Sequence, residues 1–395
     1  MNWISARVIR GNRGDIASRY SILSHAIARG STVDAVFAES DRHVPAELAG
    51  KLLPYGPLYN FWPGWQGLRA LRKAQAVIWT GGLDLQDDSS LIKLVHTWLV
   101  FLSYRLLGLK ILLANQGAGP LSTQAGRWLA KQVLRQVSVA LVRDKGSYDL
   151  LRPLMDERRL MLGADGIFLA EPWRSLAIES KPAPQGHQPV IGLNLRLWFH
   201  FSNSWIPYQF AHRRYMERAR APMARVLAAI SSTIAALRER HDARIVLFSM
   251  YEPGVETWED DRWLLEEVKA GFAGDDNVRL AEGNPSIVEL CQEFSELDLM
   301  IGMRLHSTLL ALRAGVPAIH LAYTLKGHDI YADLGLSDWI VPIEGLVENQ
   351  QALVTLASQV LDDPASGLRV RDAVAKIVDT NGAALTEAMR RVEQS

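Results

Sequence analysis

Short apolar runs alternate with longer helical segments through residues 5–151 of the chain. The apolar runs have the length of strands, and they predict strands at 5–9, 33–37, 76–79, 110–114 and 139–142. The helices predicted between and after them are at 15–29, 64–74, 90–107, 123–136 and 145–151. Strands joined by helices pair as a parallel sheet with helices on both faces, so this part of the chain is predicted to be α/β.

The same pattern repeats after an irregular, proline-rich segment at residues 172–189. Strands are predicted at 190–195, 244–249, 297–301 and 316–321. A long helix is predicted at 213–240, with a break near Pro222. Ser286 and Glu289 form the capping-box pattern that begins a helix at 287–294. Further helices are predicted at 258–272 and 309–313.

The repeat of the α/β pattern predicts two Rossmann-like domains whose parallel sheets face a central cleft, the arrangement called GT-B. A chain of 395 residues is long enough to build two hydrophobic cores. We expect a first domain at 1–172, a linker at 173–189 and a second domain at 190–370. Residues 371–395 are expected to form a polar helix that packs back on the first domain.

Composition excludes several classes of protein. The 43 Lys and Arg residues balance the 43 Asp and Glu residues, and nucleic-acid-binding proteins usually carry a basic excess. Cys291 is the only cysteine, so no intramolecular disulfide and no multi-cysteine metal site can form. A buried, inert thiol is favoured there over a catalytic one. No His-x-x-x-His pair and no Gly-x-Ser-x-Gly motif occurs, so neither a metal nor another cofactor is predicted.

The N-terminus lacks the charged and then apolar pattern of a signal peptide, which predicts a cytoplasmic protein. The most apolar stretch, residues 91–114, is interrupted by Lys93, His96 and Arg105. A membrane-spanning helix needs roughly 20 mostly uncharged residues. We therefore predict a buried helix at 90–107 followed by a strand, with a role at a membrane surface, at the inner face of the membrane, as the alternative.

A run of basic residues lies in the predicted helix at 213–240 and just before it. Such a run is most often the solvated face of a helix. The alternative is a patch for a phosphorylated lipid or a membrane surface. Its members are His212, Arg213, Arg214, Arg218, Arg220 and Arg225.

An arginine, a histidine and a lysine follow two successive strands of the second domain. Arg304 and His306 lie in Gly-Met-Arg-Leu-His at 302–306, and Lys326 follows the next strand. Ligands bind at the carboxyl ends of parallel strands, where helix N-termini and cations favour an anion. Arginine pairs with carboxylate or phosphate, and an imidazole can move a proton near neutral pH. A buried ion pair or a capping histidine is the alternative interpretation of the same residues.

Three glycine-rich segments leave predicted strands of the first domain. Each could be a plain turn between a strand and a helix, but all three would line the same side of the cleft. They are Gly11-Asn12-Arg13-Gly14-Asp15, Gly81-Gly82 with Asp87, and Gln116-Gly117-Ala118-Gly119-Pro120.

Arg196 directly follows the first strand of the second domain, so its side chain is expected to face the cleft. Trp198 and several further aromatic residues come next. They suit a stacking platform for sugar rings, and equally a lid or a small core under a loop.

Together these segments resemble the polysaccharide pyruvyl transferase family over roughly residues 9–340. The block at 302–326, which also contains Gly315-Val316-Pro317 and Tyr323, is the most specific match. Two departures occur in the first domain: Leu83 where the family usually has a third glycine, and Arg13 where a small or apolar residue is common. The supporting matches are Gly11–Asp15, Gly81–Asp87, Gln116–Pro120, Val142–Asp144 with Ser147, Ala164–Asp165 and Leu195–Trp198.

The resemblance implies an enzyme of polysaccharide or exopolysaccharide biosynthesis. It would move the pyruvyl unit of phosphoenolpyruvate onto two hydroxyls of one sugar, giving a cyclic ketal and phosphate. His306 and Arg304 would be catalytic. The acceptor sugar and its attachment to a lipid are left open. The residues implied for phosphoenolpyruvate are Arg196, Arg304, Leu305, His306 and Lys326, and those for the saccharide acceptor are Gly11, Asn12, Gly14, Asp15, Gly81, Gly82, Asp87, Gln116 and Trp198.

Two other classes of protein share parts of this pattern. A GT-B glycosyltransferase that uses a nucleotide sugar has the same two-domain cleft and also binds an anionic donor. A non-catalytic carbohydrate-binding protein is disfavoured because Arg196, Arg304, His306 and Lys326 are present together.

Overall fold

The computed structural model describes residues 1–38, 42–53, 63–88, 90–175, 187–197, 208–255, 259–324 and 326–395. The first domain contains a seven-stranded parallel sheet with the order β3-β2-β1-β4-β5-β6-β7. Its strands are β1 Asn2–Ser5, β2 Thr32–Phe37, β3 Leu52–Leu53, β4 Ala76–Thr80, β5 Lys110–Gln116, β6 Val139–Val142 and β7 Leu160–Leu162. Its helices are α1 Arg13–Ala28, α2 Gly64–Lys73, α3 Leu91–Leu106, α4 Gln124–Gln136 and α5 Lys145–Leu151.

The second domain contains a six-stranded parallel sheet with the order β10-β9-β8-β11-β12-β13. Its strands are β8 Val190–Asn194, β9 Arg244–Leu247, β10 Val278–Leu280, β11 Leu299–Gly302, β12 Ala318–Ala322 and β13 Ile340–Pro342. Its helices are α6 Tyr208–His241, α7 Arg262–Ala270, α8 Ile287–Ser295, α9 Leu305–Arg313, α10 Lys326–Asp333, α11 Ile343–Glu348 and α12 Gln350–Asp362. The last helix is α13 Ser366–Gln394. Short 3₁₀ turns occur at Ala46–Leu48, Arg152–Leu154, Glu157–Arg159, Trp173–Ser175 and Ser337–Trp339.

The first sheet is covered on both faces. Residues that alternate along its strands belong to two separate hydrophobic clusters. The inner cluster includes α1 and α13 and continues into the second domain. The outer cluster includes α2, α3 and α4. The predicted α/β fold with two parallel sheets is confirmed; the boundaries at 172 and 190 stay a prediction, since most of the linker lies outside the described residues.

The boundaries of several predicted elements differ from the structure, and the edge strands β3, β7, β10 and β13 were not predicted. The first strand ends at Ser5, because Arg7, inside the predicted strand, turns to donate to Thr80 O and pair with Asp84. Helix α6 continues through Pro222 without a break. The proline removes one intrahelical hydrogen bond, but Met223 beside it is buried in the core, which holds the helix in place. Helix α9 begins four residues earlier than predicted, so His306 lies in its first turn.

Helix α3 is not buried as predicted. Leu94 and Phe101 are fully buried against the sheet, whereas Leu99 is 53% and Leu106 80% exposed. The sequence is apolar on every side of this helix, so periodicity could not tell which side the sheet covers. Across the described ranges, we find no helix with the length and apolar character needed to cross a bilayer.

The loop between β1 and α1 joins the two domains. Its backbone pairs with the segment after β9, with Arg13 N donating to Met250 O at 3.1 Å and Glu252 N donating to Gly11 O at 2.8 Å. The Arg13 side chain crosses the same boundary and donates to Ser249 O at 2.7 Å. Arg13, one of the two residues that depart from the family pattern, therefore links the two domains.

Candidate active site

The N-termini of α1 and α9 meet at the domain boundary. Asn12 caps α1 by accepting from the N–H groups of Gly14 and Asp15. A Cβ atom added at Gly14 would lie 2.1 Å from the Cβ atom of His306. Only glycine therefore allows α1 to approach the histidine this closely. The unsatisfied N–H groups and dipoles of two helix ends converge here, an arrangement that favours a negatively charged ligand.

His306 lies between two carboxylates of the first domain. Its Nδ1 atom is 3.7 Å from Asp15 Oδ1, and its Nε2 atom is 3.5 Å from Asp165 Oδ2. Asp165 follows β7 and is buried. Burial would raise the pKa of Asp165, but the contacts with His306 and Arg143 outweigh it and hold the pKa well below its usual range. Asp165 is consequently ionised at neutral pH and places its negative charge 3.5 Å from the imidazole.

Arg143 connects the end of β6 to this carboxylate. Its Nη1 atom donates to Asp165 Oδ2 at 2.9 Å, and its Nε atom is 3.7 Å from Asp144 Oδ2. Asp144 caps α5 by accepting from Ser147 N at 2.7 Å. Asp144 is therefore a helix cap, while Arg143 lies at the candidate site.

Arg304 is held by a buried network within the second domain. Its Nε atom donates to Asp261 Oδ2 at 2.8 Å, and its backbone N–H donates to Asn194 Oδ1 at 3.1 Å. Asp261 also accepts from Ser249 and from the backbone of Met250. The Arg304 side chain is 6% exposed. This network fixes the arginine at the start of α9, beside His306.

Arg196 and Arg304 share one acidic neighbour. Arg196 donates to the hydroxyl of Tyr323 at 2.5 Å, and its Nη2 atom is 3.4 Å from Glu259 Oε2. The same oxygen is 3.6 Å from Arg304 Nη2. Leu305 is the first residue of α9. The two predicted arginines are therefore brought together, and Tyr323 of the predicted motif lies beside them.

Two predicted residues cannot be placed. Trp198 lies outside the described residues. Lys326 is the first residue of α10, and only its backbone belongs to the described part of the chain.

The glycine-rich segments of the first domain meet at the carboxyl ends of their strands. Gly81 and Gly82 both have a positive φ, of 54° and 81°. The side chain of Gln116 donates to Gly81 O at 2.5 Å. Asp87 lies apart from these residues, because its carboxylate accepts from Ser122 and Thr123 just before α4. The structure thus gives Asp87 a role in holding a helix end.

Buried polar atoms without a hydrogen-bond partner in the described part of the chain are concentrated at this edge. Folded proteins pair nearly all such atoms, so a concentration of exceptions indicates where a ligand binds. The atoms at the ends of β4, β5 and β6 and the start of α9 are Thr80 Oγ1, Asn115 Oδ1, Gln116 Oε1, Arg143 Nε, Asp144 Oδ2 and His306 Nε2.

A partly open pocket lies beside the loop between β1 and α1. Tyr20 and Ile16 of α1 line one side, and His43 and Glu252 line another. His43 Nε2 is 2.8 Å from Glu252 Oε1. Burial would raise the pKa of Glu252, but its contact with His43 outweighs burial and lowers the pKa. No group of acidic, histidine or cysteine side chains suited to a metal ion occurs among the residues that were described.

Sequence reasoning gave too little weight to Asp165 and did not identify Asp261. The available signal for Asp165 was the short family match at Ala164–Asp165. Cys291 is buried in α8, as predicted, and burial raises the pKa of its thiol to about 12.

The fold and the site define a GT-B protein with a polar, anion-favouring cleft between two Rossmann-like domains. Solved structures with this fold include UDP-GlcNAc 2-epimerase from Neisseria meningitidis bound to UDP-GlcNAc, with a TM-score of 0.55, 11% identity and 100% of both chains covered. The enzyme of the same name from Methanocaldococcus jannaschii has a TM-score of 0.56 and 13% identity, covering 95% of this chain and 100% of its own. A trehalose-6-phosphate synthase has a TM-score of 0.60 and 12% identity, covering 100% of this chain and 99% of its own.

At these identities the similarity shows the fold alone. The family is shown by sequence: the family model of polysaccharide pyruvyl transferases matches residues 12–324. The chain belongs to the polysaccharide pyruvyl transferase family and is a transferase.

Proposed function

We propose that this enzyme transfers the pyruvyl unit of phosphoenolpyruvate to two hydroxyls of one sugar in a glycan. The observation that carries the proposal is the position of His306, between Asp15 and Asp165 of one domain and beside Arg304 of the other. An acid–base group flanked by carboxylates, next to arginines, suits a donor that carries a phosphate and a carboxylate.

The reaction balances without an oxidant. A proton adds to the methylene carbon of phosphoenolpyruvate, and a sugar hydroxyl adds to the neighbouring carbon. The bond from that carbon to the phosphate oxygen then breaks, and the second hydroxyl closes the ketal. One of the two hydroxyl protons balances the proton in the new methyl group, and the other leaves with phosphate.

In this proposal His306 is the acid that protonates the methylene carbon. Asp165 lies 3.5 Å from Nε2 and Asp15 lies 3.7 Å from Nδ1, so each ring nitrogen has one carboxylate nearby. Asp15 belongs to the predicted acceptor loop, so it is placed to receive the proton of an attacking hydroxyl. Ketal formation requires one group that gives a proton to the methylene carbon and one that takes a proton from the attacking hydroxyl.

The donor's negative charges are proposed to be held by arginines from both domains. Arg304 and Arg196 come from the second domain, and Arg143 from the first. Arg143 Nε has no hydrogen-bond partner in the described residues, and a phosphate or carboxylate oxygen would supply one. Lys326 at the start of α10 is proposed as a further cation.

The saccharide acceptor is proposed to enter beside the loop between β1 and α1. The pocket there has an aromatic wall at Tyr20 and a polar wall at His43 and Glu252. Aromatic faces and charged hydrogen-bonding groups are the combination that binds sugar rings. Asn12 and Asp15 belong to the same loop. With a saccharide acceptor, the enzyme would act in the synthesis of exopolysaccharide or another polysaccharide, and we propose that it does so in the cytoplasm.

The test is phosphate release from phosphoenolpyruvate in the presence of glycan acceptors. His306→Gln should reduce turnover at least ~10²-fold, the order expected for losing a proton-transferring group. His241→Gln is the matched control, because His241 contacts Ser358 at the far end of α6. Equal turnover in the wild type and His306→Gln would refute the assignment. Thermal stabilisation by UDP-GlcNAc, with no response to phosphoenolpyruvate, would instead favour a nucleotide-sugar transferase.

A further inference from the structure

The outer helix layer of the first domain, made of α2, α3 and α4, exposes an unusual share of the large apolar side chains. Of the nine large apolar side chains exposed in the described residues, five belong to it and a sixth, Leu107, directly follows α3. Monomeric proteins rarely leave contiguous apolar surface uncovered, so a concentration of this kind marks an interaction site. The six are Trp65, Ile92, Leu99, Leu106, Leu107 and Trp128.

The exposed apolar side chains of α3 and α4 form one continuous surface. Helices α3 and α4 pack side by side, and the rings of Trp98 and Trp128 meet edge to face with centroids 6.1 Å apart. Leu99 and Leu106 extend the surface along α3, with exposures of 53% and 80%. The layer covers the face of the sheet that is turned away from the second domain.

The charge of this layer is entirely positive. Helices α2 and α4 each carry three Lys or Arg residues, α3 carries two, and none of the three helices carries Asp or Glu. No acidic residue occurs anywhere between residues 89 and 143, although the whole chain has 43 acidic and 43 basic residues. Exposed Arg135 and Lys131 on α4 and Arg105 on α3 flank the apolar side chains.

We propose that this layer docks on the surface of a lipid bilayer that contains anionic lipids. Apolar and tryptophan side chains beside lysines and arginines are the composition of segments that lie in the membrane interface. Each basic side chain adds attraction to anionic headgroups. The apolar side chains enter the headgroup region while the basic side chains stay at its surface.

A second copy of the chain fits this surface poorly. A symmetric dimer pairs a patch with itself, which would bring two wholly positive surfaces together. An anionic bilayer is complementary in both charge and polarity. The exposed Trp65, Ile92 and Trp128 lie near the first residues of their helices, at the cleft end of the sheet. Docking therefore brings the cleft close to glycans carried on membrane lipids.

The experiment is vesicle flotation of the full chain without substrates, so its outcome is independent of the proposed reaction. Vesicles contain phosphatidylcholine alone or with about one-quarter phosphatidylglycerol. We expect binding only to the anionic vesicles, weakened by salt. Lys131→Glu with Arg135→Glu should reduce the partition coefficient more than ~10-fold, and Leu99→Ser with Trp128→Ser should reduce it similarly.

The matched charge control is Arg218→Glu with Arg220→Glu on α6, where both arginines are exposed. This variant should partition like the wild type. Loss of binding in this variant alone would overturn the proposal in favour of the basic run of the second domain. Absence of wild-type flotation, or patch variants that float like the wild type, would also overturn it. So would sedimentation showing that the patch variants convert a dimer to a monomer.

A second measurement does not depend on disruptive variants. Cys291 is fully buried, so a single surface cysteine can be labelled selectively. Leu99→Cys and Leu368→Cys form a matched pair, because both leucines are 53% exposed and only Leu99 lies on α3. An environment-sensitive dye should shift its emission to the blue at Leu99→Cys on addition of anionic vesicles, with no shift at Leu368→Cys. Equal shifts or no shifts would contradict the proposal.

Discussion

Gly14 and His306 face each other across the domain boundary so closely that a Cβ atom on the glycine would lie 2.1 Å from that of the histidine. Gly14→Ala should therefore push α1 away from α9 and misplace Asp15 relative to the imidazole. A displacement of about 1 Å in a catalytic arrangement can cost ~10²-fold in turnover. We expect that loss in phosphate release from phosphoenolpyruvate, together with a destabilisation of about 1–3 kcal/mol from the overpacked contact.

Gly367→Ala is the control for this substitution. Gly367 is the second residue of α13, as Gly14 is of α1, and nothing lies within 4 Å of the position of its added Cβ. Alanine there should leave turnover unchanged and stabilise the fold slightly, by up to about 1 kcal/mol. Equal turnover in the two variants would show that the contact between Gly14 and His306 is not needed.

Asp15 and the arginines are expected to affect different quantities: Asp15 the turnover, and the arginines the affinity for phosphoenolpyruvate. Asp15 carries no positive charge and lies on the acceptor loop, so Asp15→Asn should lower turnover ~10²-fold while changing phosphoenolpyruvate affinity little. Calorimetry and steady-state rates measure the two effects. Asp34→Asn, an exposed acid on β2, is the control and should change neither. Lost donor binding in Asp15→Asn with full turnover at saturation would contradict this role.

Arg304 and Arg196 should differ in what they do for stability. Arg304→Ala leaves the buried carboxylate of Asp261 without its main cation, which costs about 3–5 kcal/mol. The side chain of Arg196 is 21% exposed, and its loss should cost about 1 kcal/mol or less. Denaturant unfolding of both variants measures the difference. Equal destabilisation would show that the network around Asp261 does not hold Arg304.

Acid should destabilise the fold through His320. Burial lowers the pKa of His320 to about 4, and its Nδ1 atom is 3.1 Å from Gly302 O. In the unfolded chain His320 has a pKa of about 6.5, so on acidification it is protonated at a higher pH there than in the folded protein. Stability is full above the unfolded value and falls as the pH drops from about 6.5 towards 4, by about 2 kcal/mol between pH 7 and about pH 5.

The measurement is the free energy of unfolding at the two pH values for the wild type and His320→Asn, in which the amide can still donate to Gly302 O. The variant should lack the contribution of about 2 kcal/mol to the pH dependence. If both proteins lose the same free energy on acidification, His320 is not the group that titrates.

The sequence was sufficient for the central strands of both sheets, because each is a short apolar run bounded by turn residues. It did not predict the edge strands β3, β7, β10 and β13, which have only two or three residues each. Strand β6 matches its prediction, and the capping box of Ser286 and Glu289 is present. The surroundings of Asp165 could not be predicted. Its partners lie 22 residues away at Arg143 and far along the chain at His306, and only tertiary structure brings them together.

Helix α3 shows a second limit of periodicity. An apolar stretch indicates burial, but the number of neighbours available to cover it is set by the rest of the fold. The sheet covers Leu94 and Phe101, while Leu99 and Leu106 remain exposed. The sequence did contain one signal of this exposed, positively charged surface: no acidic residue occurs between residues 89 and 143.

Calorimetric titration with phosphoenolpyruvate tests the central claim most directly, because it asks which anion the cleft binds. We predict one site in the wild type, affinity reduced more than ~10-fold in Arg196→Ala and in His306→Gln, unchanged binding in His241→Gln, and no binding of UDP-GlcNAc. Binding of UDP-GlcNAc without phosphoenolpyruvate, or full phosphoenolpyruvate affinity in Arg196→Ala and His306→Gln, would contradict the account.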